Sequence, residues 1–418
     1  MHYSSTAIIV TVLSVAGSVA AVPIEDSSLG FSIPVTHNFL EVNHNGPKSF
    51  NDAIRKWGVE KDLPTDEHLK SDLIMHKEVA RRYADSSVTA SPESGDVEYT
   101  IPVKIGTPAQ TLNLNLDTGS SDLWVFSTSQ ATSQLSGHDV YNPSKSSTWK
   151  KLTGFSWSIQ YADGSGASGD VGTDKVTIGS TTVGTQAVEI AKTVSSSFTS
   201  GGNDGLIGLA YGKLNTVSPA QAKTWFENAM SSLSNKLFTA NLYHNKPGSY
   251  DFGYIDSKKY TGSIKYTPIS TKSGWWEFPS TSYKVGGTTY SNPSTATGIA
   301  DTGTTLLLVS SGAAKAYYKT ISGAQANSQV GGYILPCAKS SSLPAFYFSV
   351  GSNLASVSGA NVIYGSSLGT IGGVSYCFGA IQPISGNQYI FGDVFFKQNF
   401  GVFDYGRTRF GFAPHSYT

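Results

Sequence analysis

The chain has 418 residues, room for two to four domains. Lys and Arg together number 29, as do Asp and Glu, and charged residues make up only 14%. No basic field exists to hold nucleic acid, so that partner is excluded. Two cysteines are too few for a disulfide scaffold or a four-cysteine zinc site.

Residues 1–24 carry no Lys, Arg, Asp or Glu. Ala7 to Ala16 is a short apolar run followed by Gly17-Ser18-Val19-Ala20-Ala21, which predicts a secretory signal over residues 1–20. Ten strongly apolar residues fall short of the roughly 20 that span a bilayer, so no membrane anchor is expected there. The C-terminal sequence has no apolar tail, which argues against a lipid anchor as well.

Residues 21–90 form the next unit. They hold 8 basic and 11 acidic residues, against 21 and 18 in the far longer remainder, and four of the eight histidines: His37, His44, His68 and His76. Helical spacing recurs over Ser49–Trp57 and over His68–Tyr83, where Leu69, Leu73, Met75, Val79 and Ala80 would share a face. From Glu98 the texture changes to short Val-, Ile-, Thr-, Tyr- and Phe-rich runs between Gly, Ser and Asn turns, the pattern of an all-β body. Strands are expected over Tyr99–Ile105, Leu112–Leu116, Trp157–Tyr161, Asp174–Ile178 and Tyr347–Val350. One helix is expected over Pro219–Ser232, with Ser218 as N-cap and proline at the first position. A charged, partly helical leader before a weakly charged β body reads as a secreted zymogen, with a disordered spacer as the alternative.

The chain also repeats itself. Leu114-Asn115-Leu116-Asp117-Thr118-Gly119-Ser120-Ser121 matches Gly298-Ile299-Ala300-Asp301-Thr302-Gly303-Thr304-Thr305, 184 residues on. Each copy is followed by an apolar-Gly motif, Leu206-Ile207-Gly208-Leu209 and Ile390-Phe391-Gly392-Asp393. Two homologous lobes follow from this. In such a turn, glycine leaves room beside the aspartate. Thr118 and Thr302 can bond across to the other copy, and Ser120 and Thr304 can donate to the carboxylates. If the turns meet, Asp117 and Asp301 cannot both ionise cheaply and share one proton. Such a pair can activate water as a base and protonate a departing amine as an acid. A single Asp-Thr-Gly is usually an ordinary turn; two in matching flanks point to a site. A glycosidase with paired carboxylates would not explain the matched Thr-Gly turns.

These motifs resemble those of the pepsin-like aspartic proteases, most closely their secreted fungal members. Asp117-Thr118-Gly119-Ser120-Ser121-Asp122-Leu123-Trp124-Val125 is nearly the full family signature, and Ala300-Asp301-Thr302-Gly303-Thr304-Thr305 is the second. The resemblance covers residues 93–418 strongly and the leader loosely. It implies an all-β, bilobal fold with a cleft between homologous lobes at 91–275 and 276–418, and a water held between Asp117 and Asp301. It also implies a β-hairpin flap at Trp157–Ser165, with Tyr161 over the cleft near the Trp124 indole and with Asp163, Gly164 and Ser165 meeting substrate backbone. Ala162 stands where close relatives usually have glycine, which bears on flap mobility. Plain core aromatics are the alternative for Tyr161 and Trp124. By position, Phe198 and Leu206 line the apolar pocket before the scissile bond, beside Gly119, Gly303, Thr304 and Thr305. Asp163 also raises the acceptance of Lys before the cut. Cys337 and Cys377, 40 residues apart, pair in an exported protein, and the resemblance supports that bridge.

The function so implied is an acid endopeptidase, secreted or vacuolar, monomeric, acting on proteins and peptides around large apolar residues, with neither cofactor nor metal. The alternative is a catalytically dead pepsin fold serving as a binding protein or inhibitor; such relatives lose an aspartate, a motif glycine or the flap tyrosine, and all are intact here. The leader ends in Arg81-Arg82-Tyr83, so Arg81 or Arg82 is expected to reach the dyad as an intramolecular latch, unless that pair is simply a processing site.

Overall fold

The structure is a computed structural model that describes residues 30–34, 45–64, 69–70, 72–75, 99–160, 166–199, 202–244 and 246–416. The expected signal at 1–20, the flap tip Tyr161–Ser165, and Arg81 and Arg82 lie outside the described residues.

The leader contributes strand β1 (Phe31–Pro34), helix α1 (Gly46–Trp57) and the short strands β2 (Leu69–Lys70) and β3 (Ile74–Met75). Helix α1 starts where the Asn45 side chain accepts from the Lys48 N–H at 3.1 Å, with Pro47 in the first turn. It ends at Gly58, whose φ of 58° is the left-handed C-cap. Its buried residues Gly46, Ser49, Phe50 and Ala53 repeat at helical spacing and press on the C-terminal half, where Phe50 meets Phe378 and Ser49 meets the Tyr364 hydroxyl.

The helix expected over His68–Tyr83 does not form where the chain is described. β2 instead lies parallel to Gln325–Asn327 and β3 antiparallel to Ile363–Ile371, one on each edge of the same sheet. Leu73 is buried while Ile74 is exposed, a two-residue alternation. The open edges offer backbone partners that an isolated helix would not gain.

The body is all β. Strands β4 (Thr100–Ile105), β5 (Gln110–Asp117), β6 (Leu123–Val125), β7 (Lys150–Gln160), β8 (Gly166–Ile178), β9 (Thr181–Val194) and β10 (Gly205–Gly208) form one sheet in the order β4-β5-β10-β6-β9-β8-β7. The C-terminal half holds sheets of five and four strands, and the sheet whose edges the leader covers. A further six-stranded sheet combines both halves. Its order is β1, β12 (Lys246–Phe252), β11 (Leu237–Tyr243), Asn399–Asp404, Arg409–Pro414 and Lys265–Pro268.

The repeat is visible as topology. β10 lies parallel to β5 with Gly208 opposite Asp117, and Gln388–Phe391 lies parallel to Thr297–Ala300 with Phe391 opposite Ala300. Each apolar-Gly motif therefore runs beside the strand that delivers an Asp-Thr-Gly turn.

The helix expected over Pro219–Ser232 shrinks to Trp225–Ala229 with a 3-10 turn after it. Thr224 and Glu227 form a reciprocal capping box that fixes the start there. Upstream, Ser218 bridges to Ser156 and the Asn215 side chain takes the Val217 and Ala222 N–H groups, so the chain is held extended.

Cys337 and Cys377 form a disulfide in the C-terminal half. Replacing both with serine should cost the folded state roughly 4 kcal/mol by the chain-entropy model for a 40-residue loop. Denaturant unfolding of the oxidised protein and the double variant measures this, and an unchanged midpoint would contradict it.

Candidate active site

The two Asp-Thr-Gly turns meet at the centre of the molecule. Asp117 ends β5 and Asp301 follows Thr297–Ala300; they are 1% and 0% exposed. Their loops are tied reciprocally. The Thr118 N–H donates to Thr302 Oγ1 at 3.2 Å, and the Thr302 N–H donates to Thr118 Oγ1 at 3.0 Å. The Thr118 hydroxyl donates to the Ala300 carbonyl at 2.9 Å, and the Thr302 hydroxyl to the Leu116 carbonyl at 2.6 Å. Each threonine thus satisfies buried backbone groups of the opposite loop.

Glycine is required at the third position because each turn abuts the other's carboxylate. A Cβ at Gly119 would lie 2.4 Å from Asp301 Oδ1, and one at Gly303 would lie 2.2 Å from Asp117 Oδ1. The turns also donate to their own aspartates, Gly119 N–H to Asp117 Oδ1 at 2.8 Å and Gly303 N–H to Asp301 Oδ1 at 3.0 Å. Ser120 Oγ donates to Asp117 Oδ2 at 2.6 Å, and the Thr304 hydroxyl bonds Asp301. The Thr305 carbonyl receives the Val394 N–H and fastens the second turn to the segment after Gly392.

A residue that the sequence reading passed over occupies the gap between the carboxylates. Lys56, at the end of α1, places Nζ 2.8 Å from Asp117 Oδ1, 3.1 Å from Asp301 Oδ1 and 2.9 Å from Asp301 Oδ2. This corrects the expectation that Arg81 or Arg82 holds the pair. Lys56 follows Ala53 by three residues, so it continues the stripe that α1 buries. A lysine on the core-facing stripe of an amphipathic helix was the signal available. Next to it, the Trp57 indole N–H donates to Thr304 Oγ1 at 3.1 Å, and its ring packs on Trp275, whose own indole N–H donates to the Gly119 carbonyl at 3.1 Å.

The electrostatics follow from burial and these neighbours. Burial pushes both aspartates up. For Asp117 the Lys56 ammonium and hydrogen bonds from Lys56, Ser120 and Asp301 outweigh that and hold it below its ordinary value. For Asp301 burial wins over Lys56, and with the charge of Asp117 lifts it to about 6. Burial alone would lower Lys56, but the two carboxylates raise it above the usual lysine range, so it is charged.

Of the other residues singled out in the sequence, Trp124 is buried with Trp157 and Phe126, and Phe198 packs edge-on against it at 5.5 Å. Leu206 on β10 is registered opposite Trp124 in the same cluster. These aromatic contacts belong to a small core on one side of the N-terminal sheet. Among the described residues no three His, Cys, Asp or Glu gather as a metal site would need.

Two facing carboxyl groups in a dry site, locked by crossed threonines, are the apparatus for general acid–base attack by water. A family model for eukaryotic aspartyl proteases matches residues 98–415. The chain is 48% identical over 388 residues to endothiapepsin of Cryphonectria parasitica, covering 91% of this chain and 90% of that one. It is 46% identical over 403 residues to penicillopepsin-1 of Penicillium rubens, covering 96% of each. Aspergillopepsin-1 of Aspergillus fumigatus is 42% identical over 405 residues, covering 95% of this chain and 96% of that protein. The chain belongs to the eukaryotic aspartyl protease family and is a peptide-bond hydrolase of the pepsin type.

Thr118→Val should destabilise the protein by roughly 2–3 kcal/mol, because it strands the buried Thr302 N–H and Ala300 carbonyl. Thermal or denaturant unfolding reads this directly. A loss below about 0.5 kcal/mol would mean the crossed bonds are not a structural lock.

Proposed function

We propose that this protein is a secreted acid endopeptidase made as a zymogen, with Asp117 and Asp301 as its catalytic pair and Lys56 as the latch. In this reading residues 1–20 are the export signal, 21–90 the leader, and 91–275 and 276–418 the two lobes. The chain acts as a monomer, and among the described residues no helix is long and apolar enough to cross a membrane. The observation that carries the reading is the Lys56 ammonium within 3.1 Å of both buried carboxylates. It fills the space a catalytic water and the scissile carbonyl would need.

When the leader leaves, the two aspartates lose their cation. One then takes a proton, and the pair shares it. The ionised member draws a proton from water as it attacks the peptide carbonyl; the protonated member donates to the carbonyl oxygen. The departing amine then receives a proton from the pair as the bond breaks. Ser120 and Thr304 keep the carboxyl groups oriented. Tyr161, Asp163, Gly164 and Ser165 of the flap close over the substrate. Phe198 and Leu206, with Trp124 behind them, desolvate large apolar side chains beside the cut.

Leader docking and acid compete. Lys56 favours ionised carboxylates, so the docked cleft binds fewer protons than the open one. Docking is therefore strongest above the pair's apparent pKa and weakens as pH falls through it, with Asp301 at about 6 in the docked state. Charging the leader histidines below pH ~6.5 acts in the same direction against the slightly cationic body.

Asp117→Asn and Asp301→Asn should each lower kcat by about 10⁴-fold or more with folding preserved, assayed on protein purified free of wild type. Near-normal turnover in either variant would remove both the mechanism and the site assignment.

Lys56→Gln should raise the pH at which the precursor begins to process itself, by on the order of one unit. Arg81→Gln with Arg82→Gln should not. Incubating precursors across a pH series and following leader release on a gel decides between them, and an unchanged onset in Lys56→Gln would remove the latch.

A further inference from the structure

A second pair of acidic side chains meets inside the N-terminal lobe. Asp122 follows the first Asp-Thr-Gly turn, and Glu189 stands on β9; they are 2% and 0% exposed. β9 runs parallel to β6 with Glu189 registered against Trp124, which brings its carboxyl to the loop that carries Asp122. Asp122 Oδ1 accepts from the Thr216 N–H at 2.8 Å, the Thr216 hydroxyl at 3.0 Å and Asn215 Nδ2 at 3.0 Å. The same Asn215 Nδ2 lies 2.9 Å from Glu189 Oε1. One amide thus spans both carboxyls, which are themselves hydrogen-bond neighbours.

No cation balances them among the described residues. Lys192 lies three residues along β9 from Glu189, on its other face, and pairs with Asp170, as does Lys151 of β7. Residues registered against Glu189 from β6 and β8 are Trp124 and Val171. The other charged group bearing on Asp122 is Asp117, another acid. Glu189 Oε2 receives no hydrogen bond. Two buried carboxylates in contact, both ionised, would repel with no partner, whereas a proton between them supplies the missing bond.

We propose that Asp122 and Glu189 share one proton, and that this proton is a pH-sensitive lock on the N-terminal lobe, whose loss towards neutrality opens the lobe and silences the protease independently of the catalytic pair. The lock sits where opening would tell. The Asp122 carbonyl receives the Gly208 N–H at 2.8 Å, and Gly208 is registered opposite Asp117. Burial raises both acids above their ordinary values, Glu189 well above. The folded state therefore binds more protons than the unfolded one above an ordinary Glu pKa of about 4.3. Stability is greatest below that value and falls as pH rises. One proton makes the limiting slope a tenfold loss in the folded-to-unfolded ratio per pH unit. This is opposite in sign to the effect of a salt-bridged carboxylate.

Glu189→Gln tests the lock, since an amide can accept from Asn215 and donate to Asp122 as the protonated acid does. Processed wild type and variant are held between about pH 4 and pH 8, returned to acid and assayed, while tryptophan fluorescence follows folding during the hold. The expected result is that half-loss of folding moves up by about one pH unit or more in Glu189→Gln. Acid kcat/KM should stay within about twofold, which separates the lock from the catalytic reading. Asp122→Asn, in which the amide can donate to Glu189, should shift the same way and carries the test if Glu189→Gln does not fold. An unshifted midpoint, or failure of both neutral variants to fold, overturns the proposal.

Discussion

The structure depends on holding two like charges together out of water. A buried carboxylate is costly alone, and two in contact are costlier still, so every neighbouring feature serves to keep Asp117 and Asp301 from parting. The crossed Thr118 and Thr302 bonds satisfy backbone groups that would otherwise compete for the carboxyl oxygens. Gly119 and Gly303 are absent side chains, each making room for the opposite aspartate. The parallel strands carrying Gly208 and Gly392 buttress both turns from behind, so the repeat in the sequence is the symmetry of this one problem.

The conflict between the carboxylates has two physical solutions, a cation or a proton. The leader supplies the cation. Lys56 is delivered by a helix whose other buried residues grip the C-terminal half, and Trp57 adds a hydrogen bond and a stacked ring at the cleft. β1, β2 and β3 extend three sheet edges, so the ammonium is not left to hold the leader alone. Acid supplies the proton and removes the electrostatic reason for docking. Latency and acid activity then follow from the same pair of groups.

Asp122 and Glu189 present the same conflict with no cation to hand, and only the proton is left as a solution. The molecule so read is bounded on both sides of its working range by buried acids. One pair sets when the leader lets go, and the other sets how far towards neutrality the N-terminal lobe stays closed.

The sequence by itself determined the class of fold and the chemistry. Asp-Thr-Gly twice in matched flanks, followed each time by an apolar-Gly motif, is local information, since each turn's geometry is written in adjacent residues. Most of the short β runs appeared as strands for the same reason: alternation and turn residues act at close range. Only the tertiary structure decided what crosses long distances. Leu69, Leu73 and Met75 read as a helix face, but sheet edges more than 240 residues away took Leu69–Lys70 and Ile74–Met75 as strands. Pro219 looked like a helix start, but Asn215 and Ser156 claimed that segment's backbone partners. Lys56 looked like an ordinary helix-end base, and Arg81-Arg82 the stronger candidate. Charge alone cannot say which lysine or arginine reaches a carboxylate. The direction of α1, set by the packing of Phe50 and Ala53 on the far lobe, placed Lys56 between Asp117 and Asp301.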